Sequence, residues 1–169
     1  MKKQVLFIQG GGKGAYEEDK KLADSLRNEL GPEYQVFYPQ MPNEESPEDQ
    51  PWMAQISKEL DSLHDHVVLV GHSAGGAVLL KYLLKENINK SIAGIFLISI
   101  PYWEPEDEEG EAYTLQEGFA SKLPKGVPVF LYHSRGDEWV PFTHLAWYAE
   151  RIPQGTVREF DGRGHQFNN

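Results

Sequence analysis

The chain has 169 residues, 40% of them hydrophobic, a length and composition that suit one soluble core. Its net charge of −10 repels phosphate backbones and anionic membranes, so no nucleic-acid partner and no membrane insertion are expected. With zero cysteines it has no disulfide, thiol nucleophile or cysteine metal site, and a reducing cytoplasm is the plain reading of the compartment. Lys2 and Lys3 precede only the short apolar run Val5 to Ile8, too little for a secretory leader or a membrane span.

Strand and helix signals then alternate, the pattern of a parallel sheet covered by helices. The predicted strands are QVLFIQ from Gln4, YQVFYP from Tyr34, HVVLVG from His66, SIAGIFLIS from Ser91, VPVFLYHS from Val127 and TVREFD from Thr156. Leu22, Leu26 and Leu30 form one apolar stripe, and Trp52, Ile56 and Leu60 form another, so each marks an amphipathic helix. The second helix is expected to start at Ser46-Pro47-Glu48-Asp49, with Ser46 as cap and Asp49 closing a capping box. No repeat or interdomain linker interrupts the chain, which reads as one domain, 1–169. A short, lid-like acidic insertion is expected at about 101–125, since Pro101 to Gly118 carries seven acidic residues and no basic one.

The most informative stretch is VVLVGHSAGG, Val67 to Gly76. An apolar strand delivers Ser73 into Gly71-His72-Ser73-Ala74-Gly75, and a helix former, AGGAVLLKYLLK, follows. That is the context of a nucleophile elbow, where a serine stands above a sheet on a turn too tight for neighbouring side chains. A serine hydroxyl needs a base and an orienting acid. Asp137 follows the fifth strand and His165 the sixth, so Ser73, Asp137 and His165 all fall at carboxyl ends of strands, in the order of α/β-hydrolases. Asp161 is the rival acid, but it shares a strand end with His165.

Other patterns have plainer explanations. Gly10, Gly12 and Ala15 match a dinucleotide fingerprint, yet the second strand ends in Tyr38-Pro39-Gln40 without the required acid. His64 and His66 flank Asp65 without a third ligand, so a solvated turn is expected there and no metal. His72, His133 and His144 are read as packing or structural residues. No cofactor is expected.

On the Gly71–Gly75 elbow, the Asp137-x-x-Val140-Pro141 loop, Gly164-His165 and the glycine-rich loop after strand one, the chain resembles the α/β-hydrolase superfamily. Within it, the chain is similar to the small serine hydrolases typified by retinoblastoma-binding protein 9. The resemblance implies a three-layer fold with a six-stranded, mainly parallel sheet of order 2-1-3-4-5-6 and helices on both faces. It implies a Ser73-His165-Asp137 triad that cleaves a small-molecule carboxylic ester through an acyl-enzyme, with Gly10, Gly11 and Ala74 as the oxyanion hole. Tyr102, Trp103, Tyr113 and Phe119 are the candidates for an acyl pocket beneath the acidic insertion. Two departures stand out: Gln9-Gly10-Gly11-Gly12 replaces the commoner His-Gly or Pro-Gly, and only four residues follow His165. The second leads us to expect a loosely held His165. Two other readings stay open, a peptidase or amidase acting on small peptides, and a partner-binding protein, its partner unidentified, that keeps the fold with little turnover.

Overall fold

Along β1 (Lys3–Ile8) Val5 and Phe7 point to one side and Leu6 and Ile8 to the other, and all four are at most 1% exposed. A strand buried on both faces must lie inside a sheet covered on both sides. The computed structural model describes residues 1–85, 88–104, 106–107 and 114–167. In it β1 is joined by β2 (Tyr34–Phe37), β3 (Val67–His72), β4 (Ile92–Ile98), β5 (Val129–Ser134) and β6 (Gly155–Phe160). All pair in parallel, in the order β2-β1-β3-β4-β5-β6 that the resemblance implied.

Helix α1 (Ala15–Leu30) lays Leu22, Leu26 and Leu30 on the Val5 and Phe7 side of the sheet. On the Leu6 and Ile8 side lie α2 (Asp49–Ser62), α3 (Ser73–Lys85) and α4 (Thr143–Arg151), which contribute Trp52, Ile56, Leu79 and Tyr148 to the larger core. The Val5 and Phe7 side is less completely covered. Phe96, Ile98 and Tyr132 help line an apolar cavity of about 330 Å³ beside α1. No helix among the described residues is long and apolar enough to cross a membrane.

One helix start differs from the expectation. α2 begins at Asp49, and Ser46 caps nothing; its N–H bonds Asn43 O in a turn. The cause is tertiary. The segment before α2 is drawn across to the glycine loop, where Gly12 N–H bonds Glu44 O, while Asp49 turns to pair with Lys81 of α3.

Candidate active site

β3 ends at His72 and α3 begins at Ser73, so no linking residue absorbs the reversal. Ser73 bears it with φ +51, a left-handed conformation that costs a non-glycine residue about 1 kcal/mol or more. The flanking glycines are required by contact. A Cβ at Gly75 would lie 1.8 Å from Gln9 O, and one at Gly71 would lie 2.5 Å from Gly76 Cα. Gly75→Ala should therefore cost roughly 3 kcal/mol or more, read from the urea midpoint, because the clash is with backbone that cannot step aside. Gly136→Ala, whose Cβ would meet nothing closer than 3.6 Å, should stay within about 0.5 kcal/mol.

The loop after β1 is held by side chains. Gln9 accepts from Met41 N–H and donates to Glu44, both at 2.8 Å. Glu44 in turn accepts the N–H groups of Gly14 and Tyr16 at the start of α1. A carboxylate thus fills the helix terminus where a dinucleotide phosphate would sit, in keeping with the missing acid after the second strand.

Of the three expected oxyanion residues, Gly10 needs correcting. Its N–H is committed to Asp19 Oδ2 at 2.7 Å, so it has no proton to offer a substrate. What Gly10 supplies is space, since a Cβ there would come 3.2 Å from Ser73 Cβ. Gly11 and Ala74 face one another, a Gly11 Cβ falling 3.4 Å from Ala74 Cβ. Among the described residues neither of their N–H groups has an acceptor.

Asp137 and His165 meet. His165 Nδ1 lies 2.9 and 3.0 Å from the two Asp137 carboxylate oxygens, so Nδ1 carries a proton, and in the neutral ring the lone pair is on Nε2. Asp137 also accepts the N–H groups of Trp139 and Val140, and His133 Nε2 stands 3.2 Å away. Burial pushes this carboxyl up, but the bonds from His133, His165, Val140 and Trp139 outweigh it and hold Asp137 well below the usual carboxylate range. Asp161, the rival acid, is instead paired with Arg135 and its side chain is 82% exposed.

The Asp137 shift has a sign. A carboxyl lowered in the folded state contributes stability that is present above its ordinary value, near 3.8, and is lost as pH falls toward the folded value. The melting temperature should therefore drop more steeply below about pH 4 in the wild type than in Asp137→Asn, as scanning calorimetry across pH 5 to 2 would record.

His165 is not loosely held. It is 5% exposed, and besides the Asp137 contact its N–H donates to Glu138 Oε2 at 3.0 Å and its carbonyl accepts from His72 Nε2 at 2.9 Å. Phe167 packs edge-on against Phe160, 5.4 Å between centroids. The rings of His72 and His165 lie 4.7 Å apart, which sets His165 beside the elbow. Among the described residues no hydrogen bond joins Ser73 to His165; in free enzymes this bond is often loose and closes with substrate.

The expected acyl pocket is largely dispersed. Phe119 is 3% exposed in the main core and lies beside Lys81 and Leu84, about 12 Å or more along α3 from Ser73 at 1.5 Å per residue. It packs rather than lines a site, because the short 3-10 helix Phe119–Lys122 turns it inward. Tyr102 stacks on Trp147 of α4 at 4.4 Å, and the Trp103 carbonyl accepts from Thr114. Tyr113, with Glu108, Glu109 and Glu111 of the acidic insertion, lies outside the described residues. The turn at Asp65 and His66 is tied to Ser91, as expected of a structural junction. Asp19, Glu44 and Glu138 are the site-forming residues that the sequence did not mark.

A parallel, doubly covered sheet with an elbow serine after β3 and an Asp-His pair after β5 and β6 is the architecture of the α/β-hydrolase fold. Residues 22–167 match the serine hydrolase family, and the chain belongs to it. It is 28% identical over 131 residues to YdeN of Bacillus subtilis (strain 168), named as a hydrolase; the match spans 74% of this chain and 66% of that relative, just under two thirds of its length. The structure of the B. subtilis ydeN product superposes with a TM-score of 0.71 at 24% identity, covering 97% of this chain and 88% of the other. A bromoperoxidase from Bacillus anthracis gives 0.69 at 17% identity, with 99% and 87% covered, a likeness of fold.

Proposed function

We propose that the chain is a serine hydrolase that cleaves small carboxylic esters, with Ser73 as nucleophile, His165 as base and Asp137 as its orienting acid. The observation that carries this reading is the Asp137–His165 contact beside a serine in the strained elbow conformation. His165 Nε2 takes the Ser73 proton as Oγ attacks the acyl carbon. Gly11 and Ala74 N–H groups receive the developing oxyanion. His165 then gives the proton to the departing alcohol, and water, deprotonated by the same nitrogen, releases the acid and restores Ser73. Within the family the chain fits the small retinoblastoma-binding protein 9-like members, on Gly71–Gly75, Asp137-x-x-Val140-Pro141 and Gly164-His165. Tyr102 and Trp103, next to the acidic stretch, remain the pocket candidates, and its carboxylates disfavour anionic acids as substrates.

The test is a fluorophosphonate probe followed by a substrate panel. Labelling of Ser73, with short acyl esters turned over faster than aminoacyl amides, is the expected result. Preference for the amides would make the chain a peptidase, and absence of labelling would make it a binding protein on a hydrolase fold.

A further inference from the structure

His72 takes no part in the proposed chemistry, yet it is 1% exposed and both of its ring nitrogens face acceptors. Nδ1 lies 2.7 Å from Asp19 Oδ2, and Nε2 lies 2.9 Å from the backbone carbonyl of His165. A carbonyl can only accept, so Nε2 carries a proton. Asp19 Oδ2 already accepts from Gly10 N–H, and Asp19 itself is 1% exposed with its other oxygen unpartnered, so a proton on Nδ1 is what this carboxylate needs.

We propose that His72 is a positioning residue: held as an imidazolium by Asp19, it fixes the His165 backbone and the Gly10–Gly11 turn relative to Ser73. The inference rests on the serine hydrolase reading of the site. Its components come from four places, Gly10 after β1, Asp19 on α1, His72 at the end of β3 and His165 after β6. One carboxylate gathers the donor loop and the elbow, and one imidazole passes the connection to the base. Glu138 fixes His165 at its N–H and Asp137 fixes its ring, so the His72 bond to the carbonyl supplies the third point that sets both position and tilt. Burial opposes the charged ring, but the Asp19 bond and charge, the His165 carbonyl and the more distant Asp137 charge raise its pKa above the ordinary histidine value.

The test combines kinetics with ring-nitrogen NMR. Asp19→Asn keeps an acceptor for Gly10 but removes the charge, so His72 loses its Nδ1 proton, the ion pair between α1 and the elbow is broken, and the Nε2–H bond to the His165 carbonyl is no longer charge-assisted. Its kcat, per folded and labelled Ser73, should fall about 10- to 100-fold with KM within about twofold, the cost of misplacing a base by about 1 Å. His72→Gln should fall similarly, and the double variant no further than the worse single, because both break one connection. In ¹⁵N-labelled wild type, the histidine signal that disappears in His72→Gln should show both nitrogens protonated at pH 7. In Asp19→Asn it should show one. A folded Asp19→Asn with wild-type kcat, or an unprotonated His72 nitrogen in the wild type at pH 7, overturns the proposal. A wild type that neither labels nor hydrolyses defeats the hydrolase reading instead, and the NMR result still decides the state of His72.

Discussion

Ser73→Ala should abolish both covalent labelling and ester hydrolysis while the melting temperature barely moves. The kinetic loss is expected to reach about a millionfold, because a nucleophile, base and acid that act as a unit lose nearly everything when the nucleophile goes. The fold should be indifferent for two reasons. The hydroxyl makes no hydrogen bond among the described residues, and alanine meets the same left-handed φ of +51 that serine already tolerates. Labelling of the alanine variant, or turnover within tenfold of the wild type, would move the nucleophile elsewhere.

Asp137→Asn should come next in size. An amide can hold the ring through its oxygen, but its NH₂ can equally donate to Nδ1 and favour the tautomer with a proton on Nε2, where the lone pair is needed. The equivalent change in a serine protease costs about ten thousandfold in kcat, and a loss of that order, with substrate binding kept, is expected here. Asp161→Asn should leave turnover nearly unchanged, since Asp161 is solvent-exposed and its partner Arg135 also pairs with Glu159. The opposite ranking in a steady-state comparison would hand the acid role to Asp161.

How much of this was legible depended on whether a feature was local. Runs such as VVLVG and IFLI declare buried strands by themselves, and Gly-x-Ser-x-Gly declares the elbow because two glycines within five residues report a contact inside the same turn. The sheet order came from the resemblance, since periodicity orders no strands. Asp19 was invisible. It lies in Glu17-Glu18-Asp19-Lys20-Lys21, a run of charges in which nothing local marks the one that is buried against His72. Glu138 and Glu44 were hidden for the same reason, their partners lying 27 to 35 residues away. Ser46 failed as a cap because a contact from outside its own segment decided where α2 begins. Aromatic character likewise could not tell Phe119, a core residue, from a pocket wall.

The strand order also governs when the site can come into being. β1, made first, sits inside the sheet and can be completed only once β3 arrives to pair Val5 with Val68, while β6, made last, closes an edge and brings His165. Every pairing is parallel and must wait for a crossover, the kind of non-local assembly that folds slowly. Ser73, Asp137 and His165 therefore cannot meet before β6 is docked. In a refolding experiment, covalent labelling of Ser73 should appear only with the docking of β6, after most secondary structure is in place, which would make that labelling a reporter of the last step of folding.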